Sequence, residues 1–170
     1  MEAELIVLRL IHVLGGIFWV GSGLFTAIYL VPSLAEAGPA AGQVMGALQR
    51  RRLFIVLPTV ALFTVLSGIR LMQLTSDGFS AAYFQSGSGR VFAWGGTFAI
   101  IAFAFGMTVA RPAGIKLGRI SAQPPAEEAL EQRRRLDERD RLQRIVRISG
   151  MVNVVLLLAA AVAMAIARYL

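Results

Sequence analysis

The chain has 170 residues, 56% of them hydrophobic, and a mean hydropathy of +0.67. A water-soluble domain of this length needs more polar surface, so composition places the chain in the membrane class. Lys and Arg number 17 against 10 Asp and Glu. The arginines cluster in two connections beside apolar stretches, which reads as topology-setting charge with no nucleic-acid partner. Cysteine is absent, which excludes structural disulfides, iron–sulfur clusters and thiolate zinc sites.

The predicted architecture is all-α: a single-domain membrane four-helix bundle whose fourth helix extends into the cytoplasm. The first apolar run covers residues 5–34. It is longer than the ~20 residues a span needs, so tilt or an emergent end is expected. It is also too long for the apolar core of a signal peptide, and no clean Ala-x-Ala site follows, so it reads as a retained span. Pro32 near its end leaves little helix to disrupt. A Gly/Pro/Ala linker over residues 35–47 has room for one interfacial turn.

The second span covers residues 53–74, with Pro58 early enough to kink it only mildly. A polar hairpin loop, residues 75–89, carries Asp77-Gly78 and the Ser/Gly run 86–89. The third span covers 91–110 and is expected to stop at Arg111-Pro112, because the residue before a proline is biased away from helix. The fourth covers 145–169. A charged helix over residues 125–144 is expected to lead into it without a break. Pro124-Pro125 opens that helix, Glu127 and Glu128 suit its positive end, and no Gly or Pro follows before Ser149. Glu131–Arg135, Asp137–Arg141 and Asp140–Arg144 are spaced as i,i+4 pairs. The charged helix reads first as a solvated one, and its arginines also suit lipid headgroups or a docking partner.

Orientation follows from the basic residues. Arg50, Arg51 and Arg52 follow span one, and ten more, from Arg111 to Arg147, follow span three. The positive-inside rule puts both connections in the cytoplasm and both termini outside it. The expected location is a bacterial inner membrane, crossed several times.

Polar groups within lipid are costly, so each marks a candidate site. His12, the only histidine, lies roughly 10 Å below the outer end of span one at ~1.5 Å per residue. On a helix it shares a face with Gly15, Gly16, Trp19, Gly23 and Thr26. Three roles suit it. Its imidazole can be an axial ligand of haem iron, with Gly15, Gly16 and, opposite, Gly95 and Gly96 letting a flat ring approach. Arg70 and Arg90 would then pair with propionates, Trp94 would line the pocket, and either Met164 or Met72 would supply a second ligand or the iron would be five-coordinate. It can bind Cu(I) together with outer methionines, since thioethers select that ion. Or it can hydrogen-bond across helices, with the glycines serving only close packing. A single histidine excludes a bis-histidine di-haem site. Asn153 and Ser149 lie in the inner half of span four, too deep to meet His12. No carboxylate occurs inside a span, which disfavours a proton-coupled transporter, and no phosphate loop or hydrolase elbow is present.

The segment LRLIHVLGGIFWVGSGLFTAIYLVPSL, with His12, Gly15-Gly16, Trp19-Val20-Gly21 and Pro32, resembles the opening helix of a superfamily of small four-span bacterial proteins. That group includes the copper-resistance protein D (CopD) family, the HemJ-type protoporphyrinogen oxidases and an uncharacterised integral-membrane branch. LSGIRL at 66–71 and RPAGIKLGRI at 111–120 are similar to the ends of spans two and three in that group, most of all in the uncharacterised branch. The resemblance implies a four-helix bundle and, from the HemJ-type members, a b-type haem held by His12. Those members use a lysine at the start of span three, where this chain has Arg90. The CopD branch implies copper transport.

The leading expectation is therefore a membrane bundle that binds one b-type haem through His12 for electron transfer or haem handling. An accessory subunit of a larger membrane complex or a homo-oligomer, without catalysis, and a copper or small-solute transporter are the alternatives.

Overall fold

The computed structural model describes residues 2–124 and 127–170. Among them, four helices are long and apolar enough to cross a membrane, and no strand occurs. The chain is a multi-pass helical membrane protein. A bilayer interior offers no water to satisfy backbone groups, so a spanning segment of this composition closes its own hydrogen bonds as a helix.

Helix α1 (Glu2–Phe25) passes through a π-helical turn, Thr26–Leu30, into α2 (Val31–Glu36). A 3-10 turn, Gly38–Ala40, and α3 (Ala41–Arg50) lead to α4 (Leu53–Thr75). A short α5 (Ala81–Gln85) precedes α6 (Gly87–Phe105), which passes through a second π turn, Gly106–Ala110, into α7 (Arg111–Ser121). Helix α8 (Ala129–Ile166) is one uninterrupted rod ending in a 3-10 turn. The expected start of this rod at Pro125 lies outside the described residues.

Span three does not stop before Pro112. The helix continues to Ser121, and the reason is local. Pro112 has no N–H and would crowd the carbonyl four residues back. The turn before it widens, so that the Arg111 N–H bonds the Gly106 carbonyl five residues back. Span one uses the same device before Pro32, with the Val31 N–H on the Thr26 carbonyl. Each proline then sits in the first turn of the following segment, where a missing donor costs little. Span three also begins earlier than residue 91, because Ser86 caps α6 by accepting the Gly89 N–H at 3.0 Å.

The four spans form a ring in chain order. Spans one and two pair closely along their length, as do spans three and four, and slimmer contacts join two to three and four to one. The core takes one residue from each span: Trp19, Ala61, Ala102 and Leu157. Phe103 meets Trp19 edge-on, with ring centroids 6.3 Å apart. Where lipid is as apolar as leucine, close backbone approach of small residues holds helices together. Ala102 is fully buried, whereas Leu14 and Ile17 are about two-thirds exposed on the outer face of α1.

Helix α3 touches α7, so the two arginine-rich connections share one end of the bundle. The opposite end carries both chain termini and the α4–α6 hairpin. There Glu4 pairs with Arg70, and Leu170 lies against Gly87.

Candidate functional site

His12 faces α4. Its Nδ1 lies 2.8 Å from the Thr64 carbonyl oxygen. A carbonyl only accepts, so Nδ1 carries a proton, and in the neutral ring the lone pair is then on Nε2. The ring lies over Gly68. A Cβ at that position would come within 2.6 Å of His12 Cε1 and 2.9 Å of Nδ1, with Nε2 standing farther off at 3.6 Å. One turn below, a Cβ on Gly15 would fall 2.3 Å from the Thr64 hydroxyl oxygen, which itself donates to the Val60 carbonyl at 2.8 Å. Gly16 borders the Thr64 methyl group more loosely. The two helices thus approach through reciprocal notches, Gly15 under Thr64 and Gly68 under His12.

The expected face of α1 is present and meets two other spans. His12 and Gly15 meet α4, Trp19 enters the core, and Gly23 meets Leu157 of α8. At the next turn Ala27, and not Thr26, is the buried residue, packed against Gly150. The glycines opposite His12 are not Gly95 and Gly96. Gly95 accommodates Met164 and Ala163 of α8, and Gly96 borders Met72 of α4. Met164 and Met72 consequently occupy the span three–four and span two–three interfaces.

The arginines occupy two further places. Arg70 Nε and Nη2 both donate to Glu4 Oε1, at 2.9 and 2.8 Å, and its Nη1 donates to Gln73. Arg90 and Trp94 line a groove of about 270 Å³ with Phe84, Ala93 and Thr97. Trp94 is 62% exposed there and stacks on Phe98. These residues do not converge on His12: the imidazole belongs to the α1–α4 interface, and the groove belongs to α5 and α6.

Asn153 stands in the other half of span four beside the second π turn, with its Nδ2 near Gly106 and its Oδ1 buried without a partner. Thr64 carries the orienting contact through its backbone, and a backbone acceptor has no residue-type signal by which the sequence could reveal it.

What the site can do chemically is narrow. It presents one imidazole Nε2, with the other ring nitrogen held by a backbone carbonyl, at a tight helix pair. Among the described residues no three His, Cys, Asp or Glu side chains gather to hold a metal ion. Comparison with known protein families, with curated proteins and with solved structures finds no match.

Proposed function

We propose that this membrane bundle ligates the iron of one b-type haem through His12 Nε2. The observation that supports this is the Nδ1–H donated to the Thr64 carbonyl. Histidines that ligate metals donate their other ring nitrogen in this way, which fixes the ring and makes the free nitrogen more basic. The resemblance of residues 8–34 to the haem-binding opening helix supports the same assignment. The fit is in the donor and its support. Gly68 and Gly15 provide the space that seats the ring, whereas Arg70 stays with Glu4 and is no partner for a propionate in this arrangement. Bound haem would supply one-electron redox chemistry, or would itself be the cargo. The protein's part is to hold the imidazole still and to keep water from it.

The test is the visible spectrum of protein purified from its native membrane, with metal analysis of the same sample. A Soret band with stoichiometric iron, lost in His12→Ala, is the expected result. Copper in place of iron would move the assignment to Cu(I). A colourless, metal-free protein would overturn it.

A second reading has its own observation. The ring fills the notch over Gly68 so closely that His12 serves as a clasp between spans one and two. In that case the protein is colourless and His12→Ala changes only its stability.

A further inference from the structure

Helix α7 lies along the charged part of α8, and Lys116 pairs with Glu138 across that contact. Beyond the pair, where α7 ends, the two helices part around a cavity of about 170 Å³. Ile120 and Leu136 are apolar residues of its lining, and its polar lining includes Ser121, Gln123, Arg135 and Arg139.

The two arginines differ in their partners. Arg135 is engaged with Glu131 and donates from Nη1 to the Pro124 carbonyl at 3.2 Å. Arg139 has a buried Nε with no hydrogen-bond partner, and no acidic side chain pairs with it among the described residues. A shielded guanidinium donor left empty is costly, more so than a neutral one. Two acids of this helix are already used: Glu131 by Arg135, and Glu138 by Lys116 and Arg141.

We propose that this cavity binds a small phosphoryl anion, with Arg139 as its principal ligand and Arg135 beside it. Guanidinium matches a tetrahedral oxyanion in geometry and in charge. A cavity of ~150 Å³ holds a ligand like benzene, whereas sites for drug-sized molecules begin near 300 Å³. Orthophosphate or a phosphomonoester group fits in this volume.

Position bears on the source. Arg139 lies six residues before Ile145, where the apolar part of α8 begins. At ~1.5 Å per residue that is roughly 9 Å from the hydrocarbon edge. Headgroups occupy only about 5–7 Å on each side of a bilayer. Free phosphate in solution reaches such a site directly, whereas a lipid phosphate must bridge the ~2–4 Å between the headgroup layer and the site.

The test uses the full chain in detergent, titrated with inorganic phosphate against chloride at matched ionic strength, with thermal unfolding and calorimetry as readouts. A parallel arm uses nanodiscs of phosphatidylcholine with and without phosphatidic acid. Arg139→Gln is expected to weaken binding about tenfold or more, the loss of a charged hydrogen bond. Arg134→Gln, an exposed arginine away from the cavity lining, is expected to leave it unchanged. Saturable binding of phosphate with this pattern supports a soluble ligand. The same pattern with phosphatidic acid alone supports a headgroup. Equal weakening in both variants, or no response to either probe, would overturn the proposal. A Soret band or its absence has no bearing on this result, so the two assignments fail separately.

Discussion

The imidazole Nδ1 of His12 and the carbonyl oxygen of Thr64 stand 2.8 Å apart, and the same carbonyl accepts the Ser67 hydroxyl at 3.0 Å. Removing the ring therefore does not orphan a buried acceptor. Interhelical hydrogen bonds in membranes average ~0.6 kcal/mol and reach about 1.7 kcal/mol, and an imidazole-sized void adds to that. His12→Ala is expected to lower stability by roughly 1–3 kcal/mol in equilibrium unfolding from mixed micelles. A change near zero would mean that spans one and two hold together without the ring.

The glycine notches separate by position. Gly68→Ala places a methyl group 2.6 Å from His12 Cε1, and Gly15→Ala places one 2.3 Å from Thr64 Oγ1. Something must move in each case, at an expected cost of about 1–3 kcal/mol. Gly114 lies inside α7 with nothing within 4 Å of its would-be Cβ. There alanine reduces only the freedom of the unfolded chain, and Gly114→Ala is expected to stabilise by about 0.4–1 kcal/mol. Unfolding midpoints of the three variants measure the contrast. Three equal shifts would show that the notches are not needed for the pairing.

Hydropathy made the four spans legible because each is a long apolar run, and the absence of Gly and Pro between Pro125 and Ser149 made α8 legible as one rod. The ends were harder to read. Arg111-Pro112 reads as a stop, yet a five-residue widened turn absorbs the proline, and such a turn has no periodicity of its own. Helical spacing put His12, Gly15 and Trp19 on one face of α1. It could not say which face of α4 would meet them, because the rotation of one helix against another is set by packing. The ion pairs show the same limit. Glu131–Arg135 forms as spaced, but Arg141 turns to Glu138 at 3.6 Å and not to Asp137, and Asp140–Arg144 does not form. Glu138 is also the partner of Lys116, on a helix that the sequence had not extended that far.

That contact predicts a pH response. The Lys116 hydrogen bond holds the Glu138 carboxyl below its ordinary value of 4.5, with the charges of Lys116 and Arg141 acting the same way. A carboxyl depressed in the folded state adds stability above its unfolded value, and that stability is lost as pH falls through the folded one. The docking of α7 on α8 is therefore expected to persist at neutral pH and to loosen below about 4.5. Because the pair is exposed, its contribution is small and screened by salt. Amide exchange of residues 113–121, followed from pH 6 to pH 3, reports it. In Glu138→Gln the pH step should be absent. A step of full size in that variant would assign the response to another group.

Asn153 supplies the last test. Its Oδ1 is buried without a partner, and its Nδ2 faces Gly106 at the start of the second π turn. An unpaired amide acceptor costs about 1–3 kcal/mol, and replacing it with an apolar group of similar shape is neutral or favourable. Asn153→Leu is thus expected to leave unfolding unchanged or to raise stability by about 1 kcal/mol. Asn153→Asp, with a carboxyl in the same place, should lose several times that amount. The informative outcome is the opposite one. If Asn153→Leu destabilises by more than about 1 kcal/mol, the amide has a partner in the folded protein. A water or small polar solute held beside the π turn would supply it, and the widened turn would then serve as more than an accommodation of Pro112.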